Sequence, residues 1–501
     1  MTLTIDFEPI GRRVRVPATA TLLEAAQSAG VQLIAVCGGA GVCGKCRVRC
    51  VAGQLAPPTS SERAMLSQAE LDAGYRLACQ AIPHPDAPDP HTLKIELPPE
   101  SLSAHQRLQL EAEALAVAPD PVITPVDVTV PPPRLAPAED GPNAPPADLR
   151  ADTVRLADAL AEQGVARPFF DQPVLRDLST QLRTHEGRVR LALRTPPPFL
   201  EVVGLLPPSH DLLGLAVDIG TTKIAAYLVD LTTGQTLAQA GTPNPQIAYG
   251  EDVVNRIAYA NQHPDGREKL QTALITALNQ LITTLTTERH TSPTAIVENV
   301  VVGNTVIHHL FAGLAVRQLG EAPYIAAASE ALDISAAHLG LTCASGAKVY
   351  LPPNIAGYVG ADHVAMLLAT RSHWRHHPTI ALDIGTNTEI SLILPQARAA
   401  NPTILSCSCA SGPAFEGAHI HDGMRAAPGA IERVQIYDGA PHWQTVREPD
   451  ATHAPPPVGI CGSGILDAVA ELRRTGVLNR AGRMRPAPYC LAPAKETGHQ
   501  R

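Results

Sequence analysis

The sequence predicts a multidomain protein of mixed α+β and α/β class, and three observations carry that prediction. Cys37, Cys43 and Cys46 share one glycine-packed loop near the N-terminus, with Cys79 further along. A proline-rich block between Pro119 and Pro146 divides the chain. An apolar strand running into Asp-Ile-Gly-Thr occurs twice, beginning at Leu215 and again at Ile380. At 501 residues the chain needs several folded units, because single cores stop growing beyond roughly 250–300 residues.

The N-terminal elements come first. Leu3-Thr-Ile-Asp-Phe7 and Arg13-Val-Arg-Val16 alternate like a hairpin, and Thr21 to Gly30 reads as a capped helix ending on glycine. The loop V-C-G-G-A-G-V-C-G-K-C-R-V follows, with C-x5-C-x2-C spacing. Four thiolates are what a [2Fe-2S] cluster needs, and Gly38, Gly39, Gly41 and Gly44 let the backbone wrap it and aim N–H groups at the sulfurs. Zinc sites usually pair two short C-x2-C knuckles. Disulfides suit secreted chains, and the opening Met1-Thr-Leu-Thr-Ile-Asp lacks the basic-then-apolar run of a signal peptide. The five-residue first gap resembles the adrenodoxin-like ferredoxins. Arg47-Val-Arg-Cys-Val51 and Leu93-Lys-Ile-Glu-Leu97 supply further strands, which predicts a β-grasp ferredoxin domain over residues 1–100. Cys50 is expected to pack as a small apolar side chain.

Residues 101–146 read as a short helical extension, Ser101 to Ala118, followed by a linker too rich in proline for a helix and favouring stiff, extended conformations. A small middle domain is expected over 147–208, with helices (one from Leu149 to Gln163) and a strand from Arg188 to Leu193.

Residues 209–501 hold the repeat. Leu215-Ala-Val-Asp-Ile-Gly-Thr-Thr-Lys returns as Ile380-Ala-Leu-Asp-Ile-Gly-Thr-Asn-Thr, each copy a strand, a glycine turn and a second strand. Gly220 and Gly385 allow backbone N–H groups to approach phosphate, the hydroxyls of Thr221, Thr222 and Thr386 and the side chain of Asn387 border the turns, and Asp218 and Asp383 can hold Mg2+ or its waters. Two facing hairpins would grip a triphosphate between two lobes.

That duplicated pattern resembles the ASKHA superfamily, the ribonuclease H-like fold of actin, Hsc70 and the sugar kinases. Val301 to Phe311, Leu351 to Asp362, Ser411 to Ala418 and Gly459 to Asp467 sharpen the match towards the reductive activators of corrinoid proteins. These join a [2Fe-2S] domain, a linker, a small middle domain and an ASKHA ATPase in this order. The resemblance implies an ATP-dependent activator that passes a low-potential electron from an upstream donor to a corrinoid protein or corrinoid-dependent methyltransferase, returning Co(II) to Co(I). ATP hydrolysis would drive the transfer through lobe closure. The alternatives are a [2Fe-2S] carrier or binding module whose ASKHA part does not hydrolyse ATP, or an activator of another low-potential enzyme. A homodimer is compatible with either. The family's adenosine-contacting glycine-glycine-phenylalanine-glycine turn is missing, so the ASKHA domain is expected to be C-terminally incomplete.

A net charge of -9 and a pI near 6.1 argue against nucleic acid as partner, and no run of about eighteen apolar residues could span a membrane, so a cytoplasmic protein is expected. With 3% aromatic residues, the cores must lean on Leu, Val, Ile and Ala. His308, His309, His419, His421 and Asp422 invite a second metal but are read as capping or internally bonded groups. Cys407 and Cys409 are read as packed strand residues, and His373 to His377 as a solvated loop. Glu251 and Asp252 read equally as a phosphate-side segment or a surface helix start.

Overall fold

The computed structural model describes residues 2–8, 12–29, 31, 33–35, 37–84, 92–98, 101, 119–135, 147–195, 200–250, 252–374, 376–385, 387–395, 402–409, 411, 422–423, 426, 428–447 and 454–485. Two compact units result, Met1–Gln109 with Gln246–Tyr259 and Thr370–Arg501, and Leu110–Pro245 with Ala260–Ala369.

In the first unit, alternation of apolar and polar residues makes Thr2–Glu8 and Arg12–Pro17 an antiparallel hairpin. Thr92–Glu96 joins it in parallel, and Arg47–Ala52 and Tyr75–Leu77 complete a five-stranded mixed sheet. Thr21 and Glu24 form a reciprocal capping box that starts helix Leu22–Ser28, whose Leu22, Leu23, Ala25 and Ala26 are buried. Ile5, Phe7, Val48, Leu77 and Ile95 share its core. This is the expected β-grasp arrangement. Cys50 packs partly buried against that core.

The C-terminal part of this unit has a three-stranded antiparallel sheet, Thr379–Ile384, Thr388–Leu394 and Thr403–Cys409. A second sheet of Ala430–Tyr437, Ala440–Thr445 and Gly459–Ile460 carries helix Gly462–Arg474. The first sheet exposes Ile380, Leu382, Ile384, Leu392 and Leu405 on one face. Cys407 and Cys409 lie on that strand and are exposed, which corrects the expectation of packing. The segment read as a solvated loop instead contains a short helix, Arg371–Trp374, anchored by buried Trp374.

In the second unit, the stretch read as linker contributes a strand. Ile123–Thr129 pairs antiparallel with Arg188–Arg194, followed in the sheet by Glu201–Leu206 and Phe169–Phe170. Pro125 is tolerated because this strand lies at the sheet edge, where a missing N–H breaks no ladder on the open side. Helices Asp152–Glu162 and Gln172–Thr184 cover the sheet through Leu156, Leu160, Val174, Leu178 and Leu182. The expected extension from Ser101 to Ala118 lies outside the described residues apart from Ser101.

A six-stranded sheet fills the rest of this unit, in the order Thr236–Pro243, Lys223–Asp230, Leu213–Ile219, Ile296–Gly303, Lys348–Leu351, Leu332–Ser335. The first three strands are antiparallel and the central ones parallel, the topology of a ribonuclease H-like lobe. Arg194 of the small domain reaches buried Glu298 at 3.0 Å and Asp333 at 2.8 Å, and Lys348 pairs with Glu201 at 2.7 Å. Among the described residues no helix is long and apolar enough to cross a membrane.

Candidate functional site

The four cysteines converge. The Cys37 thiol contacts those of Cys43 and Cys79, and Cys79 contacts Cys46. Cys37 and Cys43 are half-buried, Cys46 and Cys79 buried. The loop can fold this way because Gly38, Gly39, Gly41 and Gly44 all take positive φ, from 60° to 98°. At Gly41 space is also required, since a Cβ there would lie 2.8 Å from the Gln80 side chain. The Ala78 N–H donates to Cys46 O at 2.8 Å, tying the fourth cysteine's strand end to the loop.

Electrostatics match the geometry. Thiol hydrogen bonds from Cys43 and Cys79, then the N–H groups of Val42 and Cys43, hold Cys37 far below the usual thiol range. Cys46 is lowered through its hydrogen bond with Cys79. Cys43 and Cys79 are pushed up, first by sharing hydrogen bonds with these neighbours and then by burial. Thiolates this close resist ionising together unless positive charge is supplied, which iron would provide. Among the described residues no three His, Cys, Asp or Glu side chains surround a single-ion position. The thiols form a continuous chain of contacts, Cys43 to Cys37 to Cys79 to Cys46, and a [2Fe-2S] cluster draws on all four thiolates. The donor set, the N–H groups aimed at sulfur and the glycine cradle fit that cluster.

Two supporting groups escaped the sequence reading. Gln80 Nε2 donates to Gly39 O at 2.9 Å and to Cys79 O at 3.2 Å, and lies 3.7 Å from Cys79 Sγ. Its only signal is adjacency to the fourth cysteine. Buried Glu62 accepts two hydrogen bonds from Arg76, at 2.8 and 2.9 Å, and one from the Leu77 N–H at 3.1 Å, fixing helix Ser60–Met65 on the strand that leads to Cys79. Burial raises the Glu62 carboxyl, but Arg76 and the backbone donors outweigh it and hold the group below its ordinary value.

The first Asp-Ile-Gly-Thr copy is a hairpin between Leu213–Ile219 and Lys223–Asp230, with Asp218 exposed near its end. Several motifs found separately in the sequence meet here. Asn304 donates to Thr221 Oγ1 at 3.2 Å and caps helix Thr305–Phe311 through the Ile307 N–H at 3.0 Å. Asn244 donates to Gly220 O at 2.8 Å and, from its backbone, to Thr222 O at 2.9 Å. Gly360, two residues before Asp362, presses so close that a Cβ would lie 2.4 Å from Gly303 O. Asn244 was not singled out by sequence, whereas Gly360 belongs to the Leu351 to Asp362 motif.

The second copy is a hairpin between Thr379–Ile384 and Thr388–Leu394, in the other unit. Asp383 is paired across the strands with Glu389, a buried carboxylate the sequence reading missed. Burial raises Glu389, Ser408 donates to it at 3.1 Å, and Asp383 raises it further. In the first copy Asp218 faces Ala225 instead, so only the second offers two carboxylates. The Gly385 N–H donates to Asn387 O at 3.0 Å, while Thr386 lies outside the described residues.

The histidines divide. His309 contacts Thr305 O through Nδ1 at 2.7 Å and accepts from the Ala327 N–H at 3.0 Å, as expected of an internal structural group. His308 is buried with neither ring nitrogen hydrogen-bonded, and burial, with His309 beside it, lowers it to about 4, so it is neutral at pH 7. His419, His421 and Glu251 lie outside the described residues, as does the Ser411 to Ala418 segment beyond Ser411. The backbone of Asp422 accepts from the Ile460 N–H at 2.9 Å.

Comparison with known proteins adds three family matches: a 2Fe-2S iron-sulfur cluster binding domain over residues 5–84, a RACo middle region over 213–375, and the C-terminal domain of RACo, the ASKHA domain, over 377–498. The corrinoid activation enzyme RamQ of Eubacterium limosum is 34% identical over 284 residues, covering 56% of this chain and 46% of the relative. A [Co(II) methylated amine-specific corrinoid protein] reductase of Methanosarcina barkeri is 26% identical over 318 residues, 57% of this chain and 55% of the relative. The matched part thus spans about half the length of these curated relatives. A solved reductive activator for corrinoid, iron-sulfur protein is 34% identical, with TM-score 0.59, covering 96% of this chain and 74% of that one.

Proposed function

We propose, from the premise that this chain belongs to the family of reductive activators of corrinoid proteins, that it delivers a low-potential electron to a corrinoid protein and uses ATP to do so. The observation that carries the reading is the four-thiol cradle built on one chain with the duplicated aspartate hairpin. When bound, the [2Fe-2S] cluster supplies one-electron storage. The chain's own residues do the rest: Cys37, Cys43, Cys46 and Cys79 hold it, and Gln80 steadies loop and sulfur together.

Asp218 and Asp383 are the candidate carriers of Mg2+ and its waters, with Glu389 adding a carboxylate at the second hairpin. Gly220, Thr221, Thr222, Gly385, Thr386 and Asn387 are the candidate phosphate-binding groups. Two carboxylates facing each other across a strand pair repel, and a divalent cation relieves that repulsion. The electron received from an upstream donor reduces Co(II) to Co(I) on the corrinoid partner. A homodimer and a cytoplasmic setting are compatible with this role.

Anaerobically reduced protein mixed with a Co(II) corrinoid protein tests the proposal. Co(I) absorbance should develop with MgATP and hardly without it. Identical yields would leave the chain a simple electron carrier.

A further inference from the structure

The segment around Asp252 has a role that neither the cluster nor the hairpins assign. A short 3-10 turn, Pro245–Tyr249, leads into helix Val253–Gln262. Arg256, fully buried, donates from Nε to Gly250 O at 2.8 Å and from Nη1 to Gln246 Oε1 at 3.2 Å. Asp252 accepts from the Asn255 N–H at 2.7 Å, and the rings of Tyr249 and Tyr259 pack 4.9 Å apart. Gly250 admits no side chain, since a Cβ would lie 2.8 Å from Asn255 Cβ. A guanidinium bonded inside its own turn makes Gln246–Tyr259 a preformed element.

Its outer side meets the ferredoxin domain. Gln27, on helix Leu22–Ser28, donates from Nε2 to Ala248 O at 2.7 Å. Next to the ligand Cys37, a Cβ on Gly38 would lie 2.9 Å from Tyr249 O and 3.8 Å from Asn255 Cβ. Gly39, with φ of 98°, has nothing within 4 Å of its own would-be Cβ. Both glycines serve the turn, but only Gly38 also leaves room for a neighbour. Val42, in the same cluster loop, is 65% exposed.

We propose that Gln246–Tyr259 is an intramolecular docking platform for the ferredoxin domain, which seats the cluster loop through Gln27 and Gly38, closes that flank, and leaves the Val42 flank as the port for electrons. The proposal rests on the cluster assignment and is independent of nucleotide binding. Any displacement of the platform would change the solvent and dipoles beside Cys37, which are levers on a cluster's potential.

Hydrogen exchange on the full, cluster-loaded chain under anaerobic conditions tests it. Gln27→Glu removes the donor and sets a carboxylate against the Ala248 carbonyl, whereas Gln27→Lys keeps a donor. Exchange in peptides covering 246–259 and 37–41 should rise about tenfold in Gln27→Glu, the scale of one lost hydrogen bond. It should stay near wild type in Gln27→Lys, with strand Arg12–Pro17 unchanged in both. The cluster's midpoint potential should shift in Gln27→Glu alone. Equal exchange and equal potentials in all three proteins would overturn the proposal. If Gln27→Glu fails to hold the cluster, Asn255→Arg, on the platform side, gives the same test: faster exchange at 37–41 supports docking, and no change refutes it.

Discussion

Each cluster cysteine is held by different neighbours, so substitutions should not be equivalent in degree. Serine at Cys43 or Cys79 should abolish or alter the visible absorption, and the wild type should carry two irons and two sulfides per chain when assayed anaerobically. Gln80 offers a subtler test. Its amide lies 3.7 Å from Cys79 Sγ, and a donor beside a cluster sulfur favours the more negative reduced state. Gln80→Leu should therefore keep the cluster but lower its midpoint potential, as read by anaerobic redox titration. The Glu62–Arg76 pair carries a stability effect with a definite sign. The folded-state carboxyl is held below its ordinary value of 4.5, so its contribution is fully present above about that pH and is lost as pH falls through the lower folded value. Arg76→Ala would leave a buried carboxylate without its partner and should cost about 3–5 kcal/mol. Melting curves between pH 7 and pH 3 should show the acid-side loss in wild type and a smaller dependence in Glu62→Gln.

At the scale of elements, the two aspartate hairpins look alike in sequence and differ in structure. The first pairs Ile219 with Ile224 and the second Ile384 with Thr388, one residue tighter, and this register sets Glu389 opposite Asp383. Alanine at Asp218 or Asp383 should cut MgATP binding while leaving the cluster spectrum unchanged. Equal nucleotide affinity in wild type and both variants would defeat the phosphate assignment. Gly360→Ala should weaken the first hairpin alone, because its methyl would press on Gly303 and on Asn304, whose side chain holds the Thr221 hydroxyl in place. Legibility follows from how local each determinant is. Cys37, Cys43 and Cys46 could be read because their spacing is itself the chemistry, and helix Leu22–Ser28 because its capping box lies within four residues of sequence. Glu389, Asn244, Arg76 and the edge strand Ile123–Thr129 could not, since each acquires its role from a partner fixed by long-range register. The prolines that suggested a linker were compatible with an edge strand all along.

At the scale of the whole molecule, the question is what joining an electron carrier to paired aspartate hairpins achieves. A [2Fe-2S] centre of ordinary ferredoxin type has a potential of about -400 mV. Each ~59 mV of mismatch in a one-electron transfer costs a factor of ten in equilibrium constant, so the cluster alone cannot appreciably reduce a lower-potential Co(II) centre. Nucleotide can help only through a difference in free energy between states of the protein or its complex. Such coupling is reciprocal: if MgATP tightens the complex with the Co(II) corrinoid protein by some factor, that partner must tighten MgATP by the same factor. The two functions should also separate by mutation. Cys43→Ser, without an intact cluster, should still bind MgATP and show the reciprocal change in affinity with the Co(II) partner, yet yield no Co(I). Asp383→Ala, with its cluster fully reducible, should lose both the affinity change and ATP-dependent Co(I) formation. Titrating MgATP with and without the partner, and the partner with and without MgATP, checks the equality directly. If Cys43→Ser binds nucleotide normally but the partner leaves that affinity unchanged in every variant, the hairpins do not act through the complex, and ATP-driven activation by this chain is refuted.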